Sequence, residues 1–167
     1  IIARHTQQGV FVMDSANTYI DPRCRIGEDV TILPGTILRG RTEIGRGCEI
    51  GPNTMIRDCR IGEYTTVNAS QLNESTVGSH TTVGPFAYVR PKCVIGDKCR
   101  VGDFVELKNS VLGNGTKVSH LTYVGDSDVG ERVNFGCGTV TTNYDGHRKS
   151  RCTIGDDVFL GCNTNLI

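Results

Sequence analysis

Aliphatic residues recur at every sixth position along most of this chain. From Ile20 they fall at Ile26, Ile32, Leu38, Ile44, Ile50 and Ile56. The register slips by one to Ile61, continues at Val67 and resumes at Val77, Val83, Val89, Ile95, Val101 and Leu107. Further one-residue slips carry it through Leu112, Val118, Val124, Val129, Phe135 and Thr141, and after an interruption it closes with Ile154, Leu160 and Leu166. An amphipathic helix needs apolar residues three and four apart, and that spacing is absent. The period predicts short strands joined by corners, stacked as a solenoid.

Two companion positions reinforce the pattern. Gly follows the aliphatic residue at Gly27, Gly45, Gly51, Gly62, Gly78, Gly84, Gly96, Gly102, Gly113, Gly130, Gly136, Gly155 and Gly161, which predicts tight corners with unusual backbone angles. Four residues after the aliphatic comes a small or β-branched side chain, such as Cys48, Thr65, Thr81, Ala87, Cys99 or Thr116, suited to a narrow interior. With these positions, residues 18–167 resemble the left-handed parallel β-helix of the hexapeptide-repeat acyltransferases, an all-β fold with three strands per coil. The left hand follows from the resemblance alone, because it runs against the usual right-handed crossover. Residues 18 apart, or 17 across a slip, then stack on one corner at about 4.8 Å.

Residues 1–17 read as a lead-in from a preceding domain. The opening Ile1-Ile2 and the end at Ile167, within the repeat, mark the chain as a piece of something longer, truncated at its C-terminus.

Composition narrows the function. Eighteen Lys and Arg balance 18 Asp and Glu. No basic excess is present to grip nucleic acid or anionic lipid. No apolar run approaches a membrane span, and no leader is visible. The eight cysteines include no CxxC pair, which argues against a zinc cluster and for reduced thiols in a cytoplasmic protein. Cys24, Cys48, Cys93, Cys99 and Cys152 take the inward small position and read as buried small hydrophobes.

The stacking map gathers polar residues into two columns. Val89, Leu107, Val124 and Thr141 share a corner, so Arg90 and Lys108 lie one coil apart where Gly is usual, and an anion between them would relieve their repulsion. Glu106 and Tyr123 precede the same corner. In the second column Val118, Phe135 and Leu160 stack if about seven residues loop out after Thr141, which lines up His120, Cys137 and Cys162 along the axis. The looped-out stretch supplies Asn143, Tyr144, His147 and Lys149, and loops thrown from a regular scaffold commonly carry function. His120 alone would be an ordinary surface histidine; the cation pair, groove and loop together make it a candidate base.

The motifs SHLTYVGD, VNFGCGT, TNYDG and IGDDVFLG, with YVRP upstream, resemble the acetyltransferase domain of the bacterial bifunctional uridyltransferase/acetyltransferase family that makes UDP-N-acetylglucosamine for the cell envelope. That resemblance implies acetyl transfer from acetyl-CoA, as co-substrate, to the 2-amino group of glucosamine 1-phosphate, without a metal. It implies His120 as general base, Glu106 as the carboxylate orienting it, and Asn143 positioning the amine and acetyl group. Arg90, Lys108, Tyr123, Asn134 and Lys149 become sugar-phosphate contacts, and Cys137, Tyr144 and Cys162 line the acetyl-CoA site. It also implies a homotrimer with sites between subunits. Cys137 and Cys162 depart from the family pattern, which more often has Ala and Ser there. The competing readings are a non-catalytic β-helical scaffold, or a hexapeptide acyltransferase acting on another amine or hydroxyl. A zinc site of the carbonic-anhydrase kind ranks last, because the four histidines lack a close pair.

Overall fold

The computed structural model describes all 167 residues. It is a left-handed parallel β-helix whose strands form three parallel sheets of nine, nine and eight strands, the faces of a triangular prism. The first face runs from Phe11–Val12 to Phe159–Leu160, the second from Tyr19–Ile20 to Asn165–Leu166, and the third from Arg25–Ile26 to Cys152–Ile154. Each strand pairs with the strand one coil before and after it. Residues 2–7 form a single helical turn and a half, and no helix is long and apolar enough to cross a membrane. Strand Phe11–Val12 already pairs with Thr31–Ile32, so ladder pairing begins inside the stretch read as a lead-in.

The six-residue period is the spacing between inward side chains. Ile32, Leu38, Ile50, Ile56, Val67, Val89 and Leu107 are almost wholly shielded within a core of 32 buried apolar residues. The apparent gap between Val67 and Val77 is filled by Leu72, which pairs with Ile56 and Val89. Ile56 to Leu72, Ile61 to Val77 and Val67 to Val83 are each coils of 16 residues, shorter than the 17 or 18 the period predicts. Shortened corners also explain Cys59, which sits three rather than four residues after Ile56 yet points inward.

Thr and Cys are interchangeable at the inward corner position for a definite reason. Thr65, Thr81 and Thr116 donate Oγ1–H to the carbonyls of Gly78, Gly96 and Gly130, and Cys48 and Cys99 direct Sγ to those of Gly62 and Gly113. Each buried donor therefore has an acceptor in the next coil. Burial also pushes these thiols up, Cys59 to about 11. Cys152 is only half-buried, packed against the core rather than within it.

The corner glycines serve close approach more than backbone freedom. Only Gly51 and Gly84 of those following the aliphatic residue have positive φ. The corner between the third and first faces carries Gly27, Gly45, Gly62, Gly78, Gly96, Gly113, Gly130 and Gly155 in successive coils, and a Cβ on Gly113 would lie 2.5 Å from the carbonyl carbon of Gly130. The left-handed positions are taken mainly by other residues, among them Tyr64, Phe86, Phe104 and Leu121. Stacking holds them there, as with the rings of Phe86 and Phe104, 5.5 Å apart.

Candidate active site

The corner between the first and second faces carries the histidine. Strands Arg100–Asp103 and Lys117–His120 pair so that Asp103 stands opposite His120. Stacked side chains leave this corner in one direction, and Asp103 Oδ1 lies 2.8 Å from His120 Nδ1. That hydrogen bond holds the Asp103 carboxyl below the usual range. The pair is accessible, the His120 side chain being 55% exposed. Val118, Phe135 and Leu160 stack in register, so Cys137 and Cys162 continue the column above His120, as the coil period predicts. The Asn163 N–H donates to the Cys137 carbonyl at 2.8 Å, whereas the N–H groups of Cys137 and Cys162 donate to no backbone carbonyl.

Across the second face lies a band of charge. Glu106 pairs with Tyr123 and Lys108 with Gly125 in the ladder. Arg90 donates to Glu106 at 3.0 Å. Lys108 donates to Asp126 at 2.8 Å, and Asn109 and Asn143 donate to the same carboxylate. Burial alone would raise the Asp126 pKa, but these three donors outweigh it and hold the group at about 2. Asn143 also reaches the Tyr123 hydroxyl at 3.3 Å. The hydrogen bond to Asp126 raises the Lys108 pKa.

Two expectations change on this geometry. Arg90 and Lys108 are each paired within the chain, to Glu106 and to Asp126. The carboxylate beside the imidazole is Asp103, while Glu106 is engaged by Arg90. Reasoning from sequence passed over both Asp103 and Asp126. Each was within reach of the stacking map, since Asp103 precedes His120 by 17 residues and Asp126 follows Lys108 by 18.

The seven extra residues leave the solenoid after Thr141, where the step from Val129 to its ladder partner Ile154 grows to 25 residues. Tyr144 bridges to Lys149, and Asp145 accepts from the N–H groups of His147 and Arg148, so the loop closes on itself. Arg151 ties its base to Asp128 and to the Asn109 carbonyl. The loop thereby delivers Asn143 to the Asp126 cluster and leaves Tyr144 exposed. Asn134 stands elsewhere: it lies on the first face between Lys117 and Phe159, around the corner from Tyr123. No group of three or more His, Cys, Asp or Glu side chains is placed to hold a metal ion.

A stacked-coil scaffold with an imidazole–carboxylate pair beside paired cations, and unbonded main-chain N–H groups on the same corner, suits group transfer to a polar substrate. A family model described as bacterial transferase hexapeptide (six repeats) matches residues 23–58 and 74–109. Both stretches carry the hexapeptide repeat of that family. The chain is similar to the bifunctional protein GlmU of Clostridium novyi (strain NT), 53% identical over 164 residues, which are 98% of this chain and 36% of that protein. The chain thus spans about a third of the length of the curated relatives it matches. Among solved structures, LpxA from Acinetobacter baumannii shares the fold with a TM-score of 0.55 and 17% identity, over 94% of this chain and 67% of that one. The acetyltransferase domain of PglB from Neisseria gonorrhoeae FA1090, solved with acetyl coenzyme A, does so with a TM-score of 0.52 and 13% identity, over 76% and 54% of the two chains.

Proposed function

We propose that this chain transfers the acetyl group of acetyl-CoA to the 2-amino group of glucosamine 1-phosphate, the acetyl-transfer step of UDP-N-acetylglucosamine synthesis. The observation that carries this reading is the continuity of one band: the His120 pair at one corner, the Tyr123–Asn143–Asp126 cluster across the second face, and Arg90 and Lys108 at the next corner. The likeness to GlmU over nearly the whole chain supports it.

In this reading Arg90, Lys108 and Lys149 bind the phosphate, with Tyr123 and Asn134 contacting the sugar. Phosphate exchanges with Glu106 and Asp126 for cations already held at the right spacing, and charge-assisted bonds to a dianion are strong enough to compete. The amine nitrogen attacks the thioester carbonyl, forming the C–N bond; His120 takes the amine proton, the C–S bond breaks, and the CoA sulfur leaves as thiolate and is then protonated. A positioned base of this kind contributes about 10²- to 10⁴-fold. The free N–H groups at Cys137 and Cys162 suit the carbonyl oxygen as it gains charge. Tyr144 flanks the acetyl-CoA, and Asn143 holds the amine and acetyl group together.

The position of Asn134, around the corner from Tyr123, supports a homotrimer in which adjacent copies each supply part of one site. The setting is cytoplasmic, where thiols stay reduced. The test is thiol release from acetyl-CoA with glucosamine 1-phosphate, run beside glucosamine lacking the phosphate. Phosphate-dependent release is expected, and His120→Ala lowers it at least about 10²-fold with the melting temperature preserved. Equal release with both sugars would overturn the phosphate assignment, and normal turnover by the His120 variant would overturn the base.

A further inference from the structure

We propose that Asp103 is the residue that positions His120 for proton removal, the task that the family pattern gives to Glu106. The inference rests on the reading of His120 as the base and deepens it.

A neutral imidazole carries its proton on either nitrogen, and the hydrogen bond made by one nitrogen decides the matter. Asp103 Oδ1 stands 2.8 Å from Nδ1. An ionised carboxylate only accepts hydrogen bonds, so Nδ1 must be the protonated nitrogen and Nε2 keeps its lone pair for the substrate amine. Once the ring has taken the amine proton, the same carboxylate lies against the imidazolium that forms. Nothing else in the chain bonds to the ring, so this one contact fixes both tautomer and orientation.

Glu106 is poorly placed for the task. It belongs to the second face, between Tyr88 and Tyr123 in the ladder, and its Oε1 accepts from Arg90 at 3.0 Å. Its chemistry is directed at the cation that binds phosphate. Asp103, by contrast, is held on both sides: it is in register with His120, and the next residue, Phe104, stacks on Phe86. Asp103 also remains ionised wherever the reaction runs, since its carboxyl is held below the usual range by the imidazole itself.

The experiment reads the ring directly. Protein labelled with ¹⁵N at histidine gives ring-nitrogen shifts that distinguish the Nδ1–H from the Nε2–H tautomer of His120. Expected is an Nδ1–H spectrum in the unaltered protein. Asp103→Ala shifts it toward Nε2–H and lowers kcat roughly 10- to 100-fold with KM for both substrates little changed. Asp103→Glu, which keeps an acceptor-only carboxylate, restores the tautomer and part of kcat. Glu106→Gln leaves the tautomer in place and raises KM for the phosphorylated sugar. An Asp103→Ala protein with unchanged ring shifts and unchanged kcat, or a Glu106→Gln protein whose tautomer moves, would overturn the assignment. The ring spectra need no turnover, so a failed acetyl-transfer assay would count against the proposed reaction and leave the Asp103 contact to be judged by the spectra.

Discussion

Asp126 shows how a single buried carboxylate is kept charged. The residue is 7% exposed, and Lys108, Asn109 and Asn143 all donate to it. Its folded pKa of about 2 lies below the ordinary unfolded value near 3.9. A depressed carboxylate pKa means the folded state binds fewer protons, so its contribution is complete above about pH 4 and is lost as the pH falls through about 2. Solvent screening at the edge of the cluster leaves this worth about 1 kcal/mol. The stability gap between the unaltered protein and Asp126→Asn is therefore expected to be constant near neutrality and to close between about pH 4 and pH 2 in denaturant titrations. A gap as wide at the acid end as at pH 7 would exclude the ion pair as its source. This residue was also hidden from a reading of local motifs. Lys108 stood out because it replaced a corner glycine, whereas Asp126 occupies an ordinary polar corner position and gains meaning only when a coil is closed and the two are seen to touch.

The repeating element was legible almost completely, because inward aliphatic spacing is a direct image of coil geometry. What spacing could not convey was why glycine accompanies it. The unbroken row at the corner between the third and first faces is there because successive backbones nearly touch. Gly113→Ala would put its Cβ 2.5 Å from the Gly130 carbonyl carbon, against backbone that cannot swing aside. The expected cost is about 1–3 kcal/mol, the usual range for overpacking. Chemical denaturation of the variant beside the unaltered protein measures this, and a change of less than about 0.5 kcal/mol would exclude close approach as the reason for the row. The short 16-residue coils escaped the sequence for a related reason: a corner can lose a residue without disturbing the inward side chains on either side, so Leu72 and Cys59 fall out of phase in the chain while staying in phase in space.

Over the whole molecule the same regularity divides the cysteines by chemistry. Cys24, Cys48, Cys59, Cys93 and Cys99 belong to one continuous core, each no more than 3% exposed, and burial raises every one of their pKa values. A thiol reacts as its thiolate, so shielding and a raised pKa both slow alkylation. Cys137 and Cys162 lie on the accessible His120 corner, and Cys152 is half-buried against the core. Brief treatment of the folded protein with iodoacetamide, followed by peptide mass analysis, is expected to label Cys162 and Cys137 first and Cys152 more slowly, with the other five labelled only as the solenoid opens. Because each coil rests on its neighbours, those five are expected to become reactive together along a denaturant series. Labelling of Cys59 or Cys93 under native conditions at the rate of Cys162 would contradict the continuous core. Acetyl-CoA should then slow labelling of Cys137 and Cys162 while leaving Cys152 unaffected, since only the first two share the corner column with His120; equal protection of all three would place the thioester elsewhere.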